Sequence, residues 1–268
     1  VTPILEATGI VRRFGGLVAV NNVDIHVDPG EMVGLIGPNG SGKTTLFDCL
    51  SRVQNVNEGR IVLNGVDVTE FRPHEVAHLG LSRTFQILRV YRDLTVIENM
   101  ELSVQWGDVS VGGLFRRPSR DTTDKADRLI DFLLLSRLRD QRAGTLSGGQ
   151  RRLLELGMAL MSDPSIVLLD EAMSGVNPTL VEEIKERLVI LNKDLGVSFL
   201  LVEHDIRFVQ DLCSRVVVLN FGAKLAEGHP DEIMENEAVI EAYFGNDGDT
   251  PPATSNGDFQ DTMAEEIG

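Results

Sequence analysis

The sequence is short of cysteine, of positive charge and of long apolar runs. Two cysteines, Cys49 and Cys213, stand in 268 residues. That is too few for a disulfide framework, and a reducing compartment fits best. Lysine and arginine number 25 against 41 aspartates and glutamates, a formal charge of −16. This balance disfavours a broad duplex-binding footprint, so no nucleic-acid partner is expected. It leaves room for a local phosphate site, because backbone amides can build one without net charge. No apolar run approaches the roughly 18 residues of a membrane-spanning helix. The stretch from Val1 also lacks the basic-then-apolar layout of a signal peptide. The chain reads as soluble and cytosolic, and its hydrophobic fraction of 42% is ample for a buried core.

What is present is an alternation of strand and helix signals. Val23 to Val27 alternates apolar and polar residues, as a strand with one buried face does. Asn64-Gly65, between Arg60–Leu63 and Val66–Val68, is a hairpin signal, since both residues tolerate positive φ. Met32 to Ile36 is a short apolar run suited to a strand buried on both faces. Ile166 to Leu169, Val197 to Val202 and Val216 to Leu219 are runs of the same kind, with helical patterns between them. The expected frame is therefore α/β with a mainly parallel sheet. Helical spacing of Ala126, Leu129, Ile130, Leu133 and Leu134 predicts a helix over 124–135, and a second is expected from about Gly149. Residues from about 90 to 163 read as a helical lobe inserted into the α/β core, with Trp106 to Asp121 as loop. The last segment, 245–268, holds six acidic residues and no Lys or Arg, and disorder is its expected state. Residues 1–244 then form one domain.

Gly37-Pro38-Asn39-Gly40-Ser41-Gly42-Lys43-Thr44 matches the phosphate-loop pattern G-x-x-x-x-G-K-[ST] in full, after one predicted strand and before one predicted helix. Glycines let successive N–H groups curl inward, and the helix that follows adds its positive N-terminal end. Lys43 is expected on the β- and γ-phosphates of a nucleotide and the Thr44 hydroxyl on Mg²⁺, with Asn39, Gly40, Ser41, Gly42 and Thr45 completing the cradle. Ile166-Val167-Leu168-Leu169-Asp170-Glu171 is an apolar strand ending in two acids, at the strand edge where α/β sheets bind ligands. Asp170 is expected to hold Mg²⁺ through water, and Glu171 to orient and deprotonate the attacking water. His204 ends a third such run. It is placed to donate to the γ-phosphate and to hold the carboxylate and water.

Leu146-Ser147-Gly148-Gly149-Gln150 offers a second anion-binding helix start, 103 residues after Lys43. With it the order of phosphate loop, Gln86, LSGGQ, Asp170-Glu171 and His204 resembles the ABC-type ATPase family over residues 4–244. The resemblance implies a P-loop core with an antiparallel β subdomain and an inserted helical lobe. It also implies ATP and Mg²⁺ as ligands and a head-to-tail dimer of this chain or of it with a closely related ATPase. Ser147, Gly149 and Gln150 of one copy would contact the γ-phosphate held by Lys43 of the other. Gln86 would ligate Mg²⁺ and sense the γ-phosphate, and Phe14 would stack on adenine rather than serve as a core phenylalanine. Ala172 and Asn177 depart from the family's usual proline and aspartate, which bears on rate and dimer communication. Partners implied are transmembrane permease subunits and, indirectly, a solute-binding protein, with the chain docked on the inner face of the cell membrane.

The segments Arg13–Leu17, Ser82–Gln86, Leu94–Asn99 and Val239–Gly245 are similar to ATPases of branched-chain amino-acid importers. Urea or short-chain amide uptake ATPases and the lipopolysaccharide-export ATPase share several of these markers. A soluble ABC ATPase acting on chromosomes or ribosomes is the more distant alternative, and a nucleotide switch that does not hydrolyse is another. Three weaker signals are set apart. His74 and His78, four apart, read as a solvated helix rather than a metal site. Arg116, Arg117 and Arg120 read as a solvated loop, and Cys49 as a buried small hydrophobe.

Overall fold

The computed structural model describes residues 2–84, 90–104, 118–171, 173, 176–203 and 206–244. Gln86, His204, Ala172, most of the Trp106–Asp121 stretch and the acidic segment from 245 lie outside the described residues.

Two sheets carry the fold. The smaller one has the order β2-β1-β4-β5, built from β1 (Leu5–Phe14), β2 (Leu17–Val27), β4 (Glu58–Leu63) and β5 (Val66–Asp67), all antiparallel. Asn64 and Gly65 make the β4–β5 turn with φ of 50° and 77°, the two positive angles a tight two-residue turn demands. The larger sheet has the order β10-β9-β3-β8-β7-β6. It contains β3 (Met32–Ile36), β6 (Leu81–Arg83), β7 (Ile166–Asp170), β8 (Ser198–Val202) and β9 (Arg215–Asn220), paired in parallel. An antiparallel edge strand, β10 (Ala223–Gly228), completes it. The apolar runs of the sequence thus become the central strands, and β3, β7 and β8 are buried along their whole length.

Because side chains alternate across a strand, each central strand feeds two cores. Val33, Leu35, Ile166, Leu168, Leu200 and Val202 face one side, with Leu46, Phe47, Cys49 and Leu50 of α1 (Lys43–Leu50). Met32, Ile36, Val167, Leu169, Phe199 and Leu201 face the other. There they join a single cluster with Val96 and Met100 of α3 (Val96–Val104), Ala126 and Ile130 of α4 (Arg120–Phe132), and Leu153 and Leu156 of α5 (Gly148–Leu160). Ile184 and Leu188 of α6 (Pro178–Lys193) and Phe208 of α7 (Ile206–Leu212) belong to the same cluster. The helical lobe therefore shares its core with the sheet it interrupts.

Helix α4 differs from the sequence reading at both ends. It begins at Arg120 because Ser119 caps it, accepting a hydrogen bond from Thr122 N–H at 3.1 Å. It ends at Phe132, two residues before Leu134 turns into the left-handed region with φ of 60°. His74 and His78 do lie on a short helix, α2 (Pro73–His78), where His78 Nδ1 hydrogen-bonds with the His74 carbonyl at 2.7 Å. The chain closes with α8 (Pro230–Met234) and α9 (Glu237–Phe244). Among the described residues no helix is long and apolar enough to cross a membrane.

Candidate active site: a phosphate loop beside two carboxylates

Strand β3 runs directly into the glycine-rich loop, and the loop into α1. Gly37, Gly40 and Gly42 have φ of 148°, 78° and 103°, angles that side-chain-bearing residues rarely adopt. At Gly37 a Cβ would lie 2.1 Å from the Leu219 carbonyl oxygen, and at Gly42 2.4 Å from that of Ala19. The loop is thus wedged between β2 and the turn after β9. Two backbone bonds hold it there: Gly222 N–H donates to Ser41 O at 2.9 Å, and Asn21 N–H donates to Gly222 O at 2.7 Å. Inside the loop the Lys43 ammonium donates to the carbonyls of Gly37 at 2.6 Å and Pro38 at 3.1 Å. Burial pushes the Lys43 pKa down, and the nearby Glu171 and Asp170 carboxylates partly offset that. An anionic ligand would relieve the same burden.

A cleft of about 680 Å³ opens over this loop, lined by Phe14, Asn39 to Thr45, Glu171 and Phe221 among others. That is within the range of roughly 300–1,000 Å³ typical of small-ligand sites. Phe14 and Phe221 are exposed on its rim. Phe14 is thus not a core residue; the Arg12 guanidinium stacks over its ring at 4.5 Å. Glu171 sits just past the end of β7 with φ of 46°, an unusual angle for a residue with a side chain and one that clusters at functional sites. Its N–H donates to Val202 O at 2.8 Å, which fixes it beside the end of β8. Glu203 anchors the following segment by accepting from Met173 N–H at 3.1 Å.

Asp170 lies beneath the cleft, almost fully buried. One carboxylate oxygen, Oδ2, accepts from Arg83 Nη2 at 2.9 Å. The other, Oδ1, is buried and has no hydrogen-bond partner among the described residues. Burial drives the Asp170 pKa up, against the pull of Arg83. A carboxylate with one oxygen anchored and one left over, near enough to the Lys43 ammonium to act on it, fits a hard divalent cation taking oxygen ligands.

The structure therefore brings together Phe14, Asn39, Gly40, Ser41, Gly42, Lys43, Thr44, Thr45 and Glu171 around one cleft, with Asp170 below it. It does not bring Ser147, Gly149 or Gln150 to that cleft. These stand at the start of α5, where Ser147 Oγ accepts from Gln150 N–H at 3.2 Å and Gln150 Oε1 accepts from Ser147 N–H at 2.9 Å. This capping box explains why the helix begins there. Gly149 lies close against α6: a Cβ there would come within 2.3 Å of the Leu180 side-chain tip, which would have to move aside. Asn177 caps α6, accepting from Thr179 N–H at 2.9 Å. Sequence reasoning missed Phe221 and assigned no role to Arg83.

Comparisons with known proteins bear on the family and the fold. The sequence pattern of the ABC transporter family matches residues 20–174, more than half the chain. This chain belongs to the ABC transporter family. A second pattern, that of the branched-chain amino acid ATP-binding cassette transporters, matches residues 223–249. Among relatives of this cassette, the high-affinity branched-chain amino acid transport ATP-binding protein BraF of Pseudomonas aeruginosa is 38% identical over 251 residues, covering 91% of this chain and 98% of BraF. The probable branched-chain amino acid transport ATP-binding protein LivG of Archaeoglobus fulgidus is 39% identical over 246 residues, covering 90% and 95%. The fold matches the ADP conformation of MJ1267, an ATP-binding cassette of an ABC transporter, with a TM-score of 0.82 at 34% identity, covering 91% of this chain and all of that one. A nucleotide-free ATP-binding cassette from an ABC transporter matches with a TM-score of 0.83. The expected α/β P-loop frame, with its antiparallel β subdomain and helical lobe, is thus the fold this cassette has.

Proposed function

We propose that this cassette hydrolyses ATP to drive a membrane transporter, and that the transported solutes are branched-chain or related amino acids. The observation that carries the catalytic half is the single cleft shared by the Lys43 loop, Glu171 and the Phe14 rim. The names of its relatives and the pattern over 223–249 support the solute class.

In this reading the N–H groups of the wedged loop and the Lys43 ammonium hold the β- and γ-phosphates, and Phe14 takes the adenine face. Thr44, Asp170 and Gln86 would hold Mg²⁺, directly or through water. Bound there, the ion would neutralise charge building on the phosphate oxygens. Glu171 orients the attacking water and accepts its proton, while His204 keeps both in register. Ser147, Gly149 and Gln150 stand away from the cleft of their own chain. That supports a head-to-tail arrangement in which a second cassette presents them to the γ-phosphate. Residues 1–244 act as one ATP-binding domain, with the helical lobe of about 90–163 set into it and 245–268 outside it. Permease subunits would supply the solute path and place the cassette on the inner membrane face, with a solute-binding protein acting through them.

Glu171→Gln tests the chemistry. The variant is expected to bind ATP with Mg²⁺ as the unmodified chain does and to release phosphate at least about 100-fold more slowly, the order of loss for removing a general base. Turnover at the unmodified rate would remove Glu171 from this role. Reconstitution with the neighbouring permease and binding protein tests the solute: leucine, isoleucine or valine should stimulate phosphate release, and stimulation by urea alone would replace that assignment.

A further inference from the structure

Strand β6 lies parallel to β7 with Arg83 opposite Leu168. Alternation sends Leu81 and Arg83 to the α1 side of the sheet, the side that Ile166, Leu168 and Asp170 also face. There the Arg83 guanidinium, only 6% exposed, reaches two elements at once, β7 and the end of α1. Nη2 donates to Asp170 Oδ2 at 2.9 Å, and Nη1 donates to Asp48 Oδ1 at 2.6 Å and to Ser51 Oγ at 2.9 Å. The carbon of the guanidinium stands 5.6 Å from the centre of the Phe47 ring. Asp48 and Phe47 belong to α1, the helix that opens with Lys43.

We propose that Arg83 is the positioning residue for the metal-holding carboxylate, fixing Asp170 by one oxygen so that the other stays open to the cation. This rests on the reading above that Asp170 holds a divalent ion. The geometry carries it as follows. A guanidinium alone with a carboxylate tends to grip both oxygens in a fork. Here Asp48 and Ser51 take Nη1, which closes the end-on fork through both terminal nitrogens; the bond to Asp170 comes from Nη2, and Oδ1 remains without a partner among the described residues. As a stability device the arrangement is weak, because desolvating a buried ion pair cancels much of its attraction. As an orienting device it is strong: planar, always charged and braced by an aromatic face. It also links the end of β7 to the phosphate-loop helix. Arg83 sits three residues before Gln86 in the chain.

The test uses Mn²⁺ as a spectroscopic stand-in on the full chain with a slowly hydrolysed ATP analogue, following ion binding by electron paramagnetic resonance. Arg83→Gln should weaken nucleotide-dependent Mn²⁺ binding about tenfold or more, while metal-free nucleotide binding in EDTA changes less than about twofold. Arg83→Lys, with charge but no fork to span both acids, should fall between. The double variant Asp48→Ala/Ser51→Ala removes both acceptors of Nη1, frees that arm to close on Asp170 and should also weaken Mn²⁺, about threefold. It tests the idea even if Arg83→Gln does not fold. Mn²⁺ affinity within twofold of the unmodified chain in folded Arg83→Gln, or in Asp48→Ala/Ser51→Ala, overturns the proposal. If Asp170→Asn binds Mn²⁺ as the unmodified chain does, the metal reading of Asp170 itself fails, and the Arg83 proposal with it.

Discussion

The carbonyl oxygen of Ala19 on β2 stands where a Cβ on Gly42 would come within 2.4 Å of it. Strand and loop touch through bare backbone, and Gly42 also begins α1 with φ of 103°. Gly42→Ala therefore meets strain and collision together. Each typically costs about 1–3 kcal/mol, so a loss of roughly 3 kcal/mol in stability is expected, with nucleotide binding abolished. Gly40→Ala is the control: its φ is 78°, but nothing lies within 4 Å of the added carbon. It should cost only about 1 kcal/mol and keep measurable ATP affinity. Thermal melts and fluorescent-nucleotide titrations compare the two. Equal losses would mean that the close approach to Ala19 is not what the glycine serves.

Ser147 has two duties that a pair of substitutions can separate. It caps α5 through the reciprocal bonds with Gln150, and it is proposed to face the γ-phosphate on a second cassette. Ser147→Ala removes both, at a stability cost of about 1 kcal/mol. Ser147→Asp keeps a good cap, since aspartate accepts from the helix N–H groups and suits the helix dipole. It also sets a negative charge against the phosphate. Stability should rank Asp and Ser above Ala, whereas ATP hydrolysis should rank Ser above Ala above Asp. A hydrolysis order that simply follows stability would leave Ser147 as a cap only.

Much of the fold and part of the site could be read from sequence, and the division has a physical basis. The phosphate loop is contiguous, and its glycines are demanded by backbone angles that any fold carrying the loop must meet. The hairpin at Asn64-Gly65 is legible for the same reason. Central strands such as β7 are buried on both faces, so unbroken apolar runs mark them. Strand β10 escaped because it pairs only with β9 and half its residues are exposed or nearly so. Its composition is that of a loop. Arg83 escaped because its partners Asp48 and Asp170 lie 35 and 87 residues away. Nothing local in Ser82-Arg83-Thr84 distinguishes a buried bridge from a surface charge. Phe14 is expected at adenine only through the family resemblance, since nothing in Arg13-Phe14-Gly15 by itself separates a rim aromatic from a core one; the structure sets it on the cleft rim.

Phe14 gives the next prediction. Its ring is 44% exposed and carries the Arg12 guanidinium on one side, while Arg12 Nη2 is held by Gln54 Oε1 at 2.8 Å. The ring is thereby pre-set for stacking. Base–aromatic stacking contributes about 1–3 kcal/mol, so Phe14→Ala should raise KM for ATP about tenfold and leave kcat nearly unchanged. Phe14→Trp should keep KM close to the starting value. A fall in kcat with KM fixed would instead place Phe14 in the chemistry or the fold. Steady-state phosphate release over a range of ATP concentrations separates the two.

The two thiols predict how stability responds to alkali. Burial pushes Cys49 from an ordinary value of 9.0 up to about 11, although Arg12 and Arg52 pull the other way. Burial pushes Cys213 up as well, helped by Glu31 and Glu203. In the unfolded chain both thiols ionise near their ordinary value, while the folded chain keeps its protons longer. Between about pH 9 and pH 11 the unfolded state binds fewer protons, so stability falls as pH rises. It is fully present below that window, and for Cys49 the loss is complete near pH 11, on the order of 2–3 kcal/mol. Lys43 shifts the opposite way, so the thiol contribution is isolated by comparing the unmodified chain with Cys49→Ala/Cys213→Ala. Urea midpoints measured from pH 8 to 11 should decline less steeply in the double variant. Tyr243, also raised by burial, adds a further decline above pH 10 that Tyr243→Phe removes. Parallel curves for the unmodified chain and the double variant would show that neither thiol stays protonated in the fold beyond the point at which it ionises in the open chain.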